Sequence, residues 1–264
     1  METGTEKMLV QSADGIGWMT FNNPARRNAM SLEMWRGLGT ILEAFENDPD
    51  VRVVVMRGAG GKAFVSGADI SEFDSARANA EQRKTYAAQT EAGRQWLDRL
   101  TKPLIALIDG YCVGGGLATA MAADIRFATP DSKFAIPAAK LGLGYEMGGL
   151  KLLTSLVGPA RAKDIMFSAR MLEADEALRI GLINFVTDRG AIEDSVTDYA
   201  KTIAGNAPLT IRAAKAALDE LALEPGQRDI EAISALVAAC FDSEDYREGR
   251  QAFKEKRPPD FKGR

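Results

Sequence analysis

The chain has 264 residues, of which 46% are apolar and 27% charged, with a formal net charge of −4. These values suit one large domain, or one core with a smaller appended segment, and they lack the clustered basic residues of a nucleic-acid-binding domain. The sequence contains no histidine, which excludes Ser-His-Asp and Cys-His catalysis and the common histidine-based zinc and iron sites.

The N-terminal residues have neither the basic region nor the apolar region of a secretory signal. No apolar run reaches the roughly 18 residues that a membrane-spanning helix needs. Cys112 and Cys240 lie far apart and form no CxxC pair, so neither a disulfide framework nor a cysteine metal site follows from them. We therefore expect a cytoplasmic protein that has no metal and does not contact membranes.

Strand and helix patterns alternate in the N-terminal half. Ser31 is a suitable N-cap for a helix with apolar residues at helical spacing, which Asp48 and Pro49 end. A polar and largely helical insert is predicted over 71–100. Strands are predicted over residues 16–21, 51–56, 104–108, 125–128 and 133–136, and the continuous apolar runs at 51–56 and 104–108 should be buried.

Helices predominate after about residue 150. They are predicted over residues 159–168, 174–180, 191–205, 208–222, 229–241 and 243–256, with one short strand at 182–186. The polar tail that follows is expected to be extended. Strand-helix alternation followed by helices indicates an α/β core with a helical C-terminal part.

A run of three glycines, Gly114 to Gly116, follows a buried strand and opens a helix of small residues. Unpaired N–H groups at such a turn can bind a phosphate or a developing oxyanion; alternatively, the glycines only permit a tight turn. A dinucleotide site is disfavoured because Thr119 replaces the last glycine of GxGxxG. In addition, Asp124 comes too soon to be the acidic partner.

Two further segments carry candidate chemistry. In Ala63 to Ser71, Gly67 can turn the chain so that the Ala68 N–H points outward, although an ordinary strand-helix connection would look the same. In residues 134–149, Glu146 lies beside Tyr145 among few charged residues. Desolvation there would raise the pKa of its carboxyl and suit a general base; the alternative is an exposed loop glutamate.

Taken together, these segments resemble the enoyl-CoA hydratase/isomerase, or crotonase, superfamily over residues 8–262. The resemblance rests on SGADI (66–70), DGYCVGGG (109–116), ADIRFA (123–128), FAIPAAKLGLG (134–144), EADEALRIGLINFV (173–186) and the closing KEKRPPDFKGR. It implies an α/β spiral of ββα units over residues 1–200 and a helical oligomerisation segment over 201–264, which makes homotrimers or hexamers.

The resemblance also implies a site. The backbone N–H groups of Ala68 and Gly115 would hold the oxygen of an acyl-CoA thioester. Coenzyme A would be bound as part of the substrate, and no other cofactor is expected. It would contact the backbone of Ala68, Asp69, Ile70 and Ser71. The basic residues Lys254 and Lys256 are candidates for contacts with its phosphates.

The chain departs from the family hydratases at both of their glutamates, because Ala118 and Ala138 stand at those positions. An alanine can be neither the base for water nor the acid for the α-carbon. Glu146 resembles a catalytic aspartate of dienoyl-CoA isomerases and 4-chlorobenzoyl-CoA dehalogenases, and Tyr145 resembles an active-site tyrosine of methylmalonyl-CoA decarboxylase.

The leading hypothesis is therefore an enzyme that processes acyl-CoA through an enolate-like intermediate, with Glu146 as acid/base and Tyr145 as a polar helper. The alternatives are a non-catalytic acyl-CoA-binding protein, an acyl-CoA decarboxylase or hydrolase, and a hydratase that activates water through Glu146.

Overall fold

In the computed structural model, which describes residues 3–69 and 80–264, ten strands form two sheets. The strands are β1 (Met8–Ala13), β2 (Ile16–Phe21), β3 (Val53–Gly58), β4 (Ala63–Val65), β5 (Leu104–Ile108), β6 (Tyr111–Val113), β7 (Ile125–Ala128), β8 (Lys133–Ala135), β9 (Leu172–Glu173) and β10 (Phe185–Val186).

Ten α-helices lie within the same described ranges. They are α1 (Leu32–Asn47), α2 (Ala80–Arg99), α3 (Gly115–Met121), α4 (Met147–Val157), α5 (Pro159–Ser168), α6 (Ala174–Arg179), α7 (Ile192–Ala204), α8 (Pro208–Leu221), α9 (Ile230–Asp242) and α10 (Glu244–Glu255). None of the helices in these ranges is long and apolar enough to cross a membrane.

The larger sheet has six strands in the order β1-β2-β3-β5-β7-β10, and the smaller has four in the order β4-β6-β8-β9. Neighbouring strands run parallel, except for the antiparallel pairs β1-β2 and β8-β9. The central strands β3 and β5 are apolar and almost wholly buried, as expected for parallel strands covered on both faces.

The chain alternates between the two sheets. After β3 it enters the small sheet as β4 and then reaches α2; β5 is followed in the same way by β6 and α3, and β7 by β8 and α4. Each ββα unit therefore adds one strand to each sheet. The predicted α/β class is confirmed, and so are the predicted strands at 16–21, 104–108 and 125–128.

Helix α1 forms where Ser31 predicts it, since the Ser31 side chain accepts a hydrogen bond from the Met34 N–H at 3.4 Å. Its apolar stripe, including Leu38 and Phe45, is buried in the larger hydrophobic cluster of the described residues, here called the main core. Helix α2 crosses α1 closely, because a Cβ added to Gly93 would lie only 2.2 Å from the Trp35 carbonyl oxygen.

The C-terminal helices are attached to the core in two different ways. Helix α7 packs on the opposite face of the large sheet, where Val196 and Ala200 are fully buried. Helix α8 is anchored by Lys215, whose Nζ donates to the Lys102 carbonyl at 3.0 Å and to the Asp124 carboxylate at 2.9 Å. The domain boundary at residue 200 stays a prediction, and α7 runs across that position.

Several elements differ from the sequence prediction. Strands β4 and β6, with three residues each, and helix α4 were not predicted, and the strand predicted at 182–186 is limited to Phe185–Val186. Three residues are too few for a periodicity to be visible. The tail is extended as predicted but is also bound: the Asp245 carboxylate accepts from the N–H groups of Lys262 and Gly263 at 2.6 and 2.8 Å.

Gly93→Ala should destabilise the fold, because the new methyl group would overlap the Trp35 carbonyl and force α1 and α2 apart. Overpacking of this kind costs about 1–3 kcal/mol, measurable as a lower urea midpoint of unfolding. Gly148→Ala is the matched control, since a Cβ there has open space in α4, and it should be neutral or slightly stabilising. Equal midpoints for the two variants would contradict the close packing of α1 and α2.

Candidate functional site

The candidate site lies where three short parallel strands of the small sheet end. The pairs Val65↔Cys112 and Val113↔Ala135 place the carboxyl ends of β4, β6 and β8 side by side. The loops that follow these strands, residues 66–69, 114–116 and 136–141, therefore meet at one edge. These are the three segments that the sequence singled out.

The Ala68 N–H is left without an acceptor by the pairing of its neighbours. The Met30 N–H donates to the Gly67 carbonyl at 2.8 Å, and the Asp69 N–H donates to the Met30 carbonyl at 2.9 Å. Because N–H groups alternate in direction along an extended chain, the amide of Ala68 faces away from Met30. Within the described ranges no acceptor takes up this N–H.

The Gly115 N–H is likewise uncommitted within the described part of the chain. Gly115 is the first residue of α3, where an N–H has no acceptor inside the helix, and the residue is exposed. A Cβ placed on Gly115 would lie 3.8 Å from the Ala68 nitrogen. The two amides therefore border the same small space.

The neighbouring glycines hold this geometry for two different reasons. Gly114 has a φ of 56°, which residues with a side chain rarely adopt, and its N–H donates to the Ala135 carbonyl at 2.8 Å. Gly116 allows α3 to touch β4, because a Cβ there would lie 2.0 Å from the Val65 carbonyl oxygen. The glycine run therefore serves both the tight turn and an accessible amide.

Ala118 and Ala138 lie beside the glycine run. The Ala118 N–H donates to the Gly114 carbonyl at 3.0 Å, and Ala138 follows Pro137, whose ring is 3.9 Å from a Cβ built on Gly114. Ala138 is buried and Ala118 half-buried, and both pack on the main core. These positions supply methyl groups, which can neither accept nor donate a proton.

Tyr145 packs against the main core, and Gly149 makes room for its ring, since a Cβ there would lie 2.8 Å from Cε1 of Tyr145. Burial raises the pKa of the Tyr145 phenol, an effect that the charge of Arg94 partly opposes. At neutral pH the group is therefore a phenol, which can donate a hydrogen bond but is not a base.

Glu146 does not have the desolvated surroundings considered for it from the sequence, because its side chain is exposed in the single chain. It precedes the first residue of α4, and its carbonyl accepts from the Leu150 N–H at 3.2 Å. The reason for its exposure is that the segment leading into α4 runs along the surface, where Leu143 and Met147 are also exposed.

The predicted coenzyme A segment is only partly described. Ile70 and Ser71 lie outside the described residues. The Asp69 N–H is bound by Met30, and its carboxylate is buried with Oδ1 at 3.5 Å from Nη1 of Arg26. Any contact from the Asp69 backbone to a ligand would therefore use its carbonyl oxygen.

Lys254 and Lys256 are not brought to this edge of the small sheet by contacts within the described chain. They lie at the end of α10. The tail that follows them is bound to Arg52, whose guanidinium donates to the Phe261 carbonyl at 2.7 Å. Arg52 precedes β3, whereas Ala68 follows the carboxyl end of β4, the next strand along the chain. The phosphate contacts of Lys254 and Lys256 stay a prediction.

The sequence analysis overlooked the loop over residues 22–31, which borders the 66–69 segment. Arg27 and Asn28 have φ values of 50° and 58°, and the Arg27 guanidinium lies 5.0 Å from the centre of the Tyr111 ring. The Ser66 N–H donates to the Arg27 carbonyl at 3.1 Å. The available signal was Asn28, since asparagine tolerates a positive φ better than most residues with a side chain.

Comparison with known proteins agrees with this geometry. Residues 11–264 match the family model of the enoyl-CoA hydratase/isomerase family. Among curated relatives, a short-chain-enoyl-CoA hydratase of Clostridium acetobutylicum is 34% identical over 254 residues, covering 95% of each chain. A carnitinyl-CoA dehydratase of Citrobacter koseri is 36% identical, covering 93% of this chain and 94% of its own.

Solved structures are similar over almost the whole chain. A crystal structure of an enoyl-CoA hydratase/carnithine racemase from Magnetospirillum magneticum superposes with a TM-score of 0.94 and 38% identity, covering 98% of this chain and 97% of its own. An enoyl-CoA hydratase from Bacillus anthracis gives a TM-score of 0.91 at 30% identity, covering 98% and 100%. The crotonase-like fold expected from the resemblance is confirmed.

Proposed function

The chain belongs to the enoyl-CoA hydratase/isomerase family, and we propose that it acts on an acyl-CoA thioester whose carbonyl oxygen is held by the N–H groups of Ala68 and Gly115. It is an enzyme of the lyase or isomerase type that this family comprises. The finer assignment of residues and mechanism is our proposal.

The observation that carries the proposal is the pair of uncommitted amides on adjacent loops. Most backbone N–H groups of a folded chain find an acceptor in the fold itself, and those at a helix N-terminus are open to a ligand. The Ala68 N–H and the Gly115 N–H border one space, which suits a ligand oxygen. Removal of a proton from the α-carbon of a thioester moves negative charge onto its carbonyl oxygen. Fixed donors at that oxygen stabilise the charge without reorganising.

Proton transfer in this proposal uses Glu146 and Tyr145. Glu146 follows the 136–141 loop at the carboxyl edge of the small sheet, and its side chain is exposed in the single chain. Tyr145 supplies a phenolic donor, since burial keeps it protonated. Ala118 and Ala138 form an apolar wall beside the reacting carbons, so one carboxylate would shuttle the proton, which suits isomerisation and other enolate chemistry.

Binding of coenzyme A would involve Ala68, Asp69, Ile70 and Ser71, as the resemblance implies. The loop over residues 22–31 adds positive charge next to this segment. Arg26 is largely exposed and Arg27 stacks on Tyr111, which suits the polyanionic phosphates of the coenzyme. Lys254 and Lys256 would have to reach these phosphates from another copy of the chain.

Assembly into homotrimers, or hexamers of two trimers, is also part of the proposal. Helix α9 is largely apolar, yet none of its residues is buried in the single chain. Ile230 and Phe241 are 63% and 60% exposed. An apolar helix left uncovered indicates a surface that another copy buries. The cytoplasmic location stays a prediction.

Gly115→Pro should remove one oxyanion donor while keeping the fold, because proline is well tolerated at the first position of a helix. Loss of one such donor costs about 10²–10³ in rate. The measurement is incorporation of deuterium from D₂O at the α-carbon of a panel of acyl-CoA thioesters, followed by mass spectrometry, which detects enolisation whatever the final product.

The matched control is Asp175→Pro, which places proline at an exposed position in the first turn of α6, outside the candidate site; it should exchange deuterium like the wild type. If the folded Gly115→Pro variant also exchanged like the wild type, the oxyanion assignment would be wrong. Tight binding of acyl-CoA with neither exchange nor product in the wild type would instead favour a non-catalytic binding protein.

Glu146→Gln should abolish most proton transfer, because the amide keeps the shape but has no basic oxygen; general-base contributions are typically about 10²–10⁴ in rate. The same deuterium assay measures it. Glu43→Gln, on the exposed surface of α1, changes the net charge equally and should leave the rate unchanged. Identical exchange rates in all three proteins would eliminate Glu146 as the base.

Sedimentation velocity should show a species of three or six chains, each of 28.5 kDa. Val237→Glu, on the uncovered helix α9, should shift the distribution toward smaller species, because a carboxylate would be buried without a partner. A wild-type protein that remained monomeric at micromolar concentration would contradict the proposed assembly.

A further inference from the structure

Asn28 is a fully buried amide side chain that joins its own loop, residues 22–31, to the 59–63 segment that leads into β4. Its Nδ2 donates to the Ala59 carbonyl at 2.9 Å and to the Ala63 carbonyl at 2.7 Å. Its Oδ1 accepts from the Asn23 N–H at 2.9 Å. Both donor hydrogens and one acceptor lone pair of the amide are therefore used.

The backbone of Asn28 is equally constrained. Its φ is 58°, and its N–H donates to the Asn23 carbonyl at 2.8 Å. This left-handed conformation follows that of Arg27, at 50°. Two successive residues in a region that disfavours side chains persist only where the surroundings hold them, and the Asn28 amide provides that hold.

The chain after Asn28 runs along the segment that carries the Ala68 donor. Met30 bonds to Gly67 and Asp69 on either side of Ala68, and the Arg27 carbonyl accepts from the Ser66 N–H. Asn28 lies between these contacts and binds the first residue of β4. The loop therefore holds both ends of the 63–69 segment, and the orientation of the Ala68 N–H depends on where Asn28 places the loop.

We infer that Asn28 is a positioning residue for the oxyanion hole, acting through Met30 on the Ala68 N–H without touching the substrate. This inference rests on the proposed function. The Gly115 donor is fixed separately by β6 and Gly116, so loss of the Asn28 amide would move one donor relative to the other. A misplacement of about 1 Å in a reacting constellation can cost about 10²-fold in rate.

The test uses Asn28→Gly, because glycine adopts the left-handed backbone without strain while all three side-chain hydrogen bonds are lost. The probe is dimethylaminocinnamoyl-CoA, whose absorption moves to longer wavelength when its carbonyl oxygen accepts hydrogen bonds. We expect a clear red shift on binding to the wild type and a smaller shift with Asn28→Gly. Deuterium exchange should fall about 10²-fold in kcat with little change in KM.

Asn22→Ala is the matched control in the same loop. The Asn22 amide also donates to a backbone carbonyl, but that of Glu6 at 2.9 Å and not one in the 59–69 segment. It should keep both the red shift and the rate. A purely structural role of Asn28 would lower the unfolding midpoint without changing the red shift of the folded fraction.

The outcomes distinguish the proposed function from the role of Asn28. No red shift with the wild type would overturn the proposed function itself. A wild-type red shift that Asn28→Gly reproduces, with equal kcat, would overturn only the role of Asn28. If Asn28→Gly does not fold, Asn28→Asp serves the same test. The aspartate keeps the acceptor for the Asn23 N–H but sets a carboxylate oxygen against the carbonyls of Ala59 and Ala63. An unchanged red shift with Asn28→Asp would likewise overturn the inference.

Discussion

The parallel pairing of β4 with β6 is the constraint on which the candidate site depends. Each strand has only three residues, yet their register brings the ends of two loops far apart in sequence to one edge. The pairing is close because Gly116 lets α3 lie directly on the backbone of Val65. A side chain at that position would separate the strand from the helix, and with them the amides of Ala68 and Gly115.

The large sheet supports this small one. Strands β3 and β5 are buried and β-branched or leucine-rich, and each leads directly into its short partner, β4 or β6. The hydrophobic core therefore positions the small sheet, whose Phe64 and Phe134 side chains are fully buried in it. The loop around Asn28 adds a polar clamp, since its buried amide satisfies carbonyls of Ala59 and Ala63 that would otherwise lie unpaired.

Both proposed oxyanion donors belong to the backbone, so the side chains that line the site do not supply them. Ala118 and Ala138 can therefore replace acidic residues without altering the donors themselves, because neither side chain takes part in the bonds that orient Ala68 and Gly115. In the proposed function the tasks are therefore separate: the backbone would stabilise charge on a thioester oxygen, while the side chains of Glu146 and Tyr145 would decide which proton moves.

Periodicity and composition were sufficient for most of the long elements, although not for β1 or α4. The apolar spacing after Ser31 predicted α1 and its cap, and the continuous run of Leu104 to Ile108 predicted β5. Of the two surroundings considered for Glu146, the structure shows the exposed one, because its segment lies on the surface although it is poor in charge. Helix α4, which begins directly after it, was not predicted, since its glycines weaken the helical pattern.

By itself the sequence determined the α/β class, the order of the long elements and the three segments that carry chemistry, because burial periodicity, caps and glycine runs are local properties of the chain. Only the tertiary structure decided that those segments meet, that the Ala68 amide faces Gly115 instead of Met30, and that Asn28 holds the loop between them. These depend on pairing between short strands far apart in sequence, and such strands leave no pattern long enough to read.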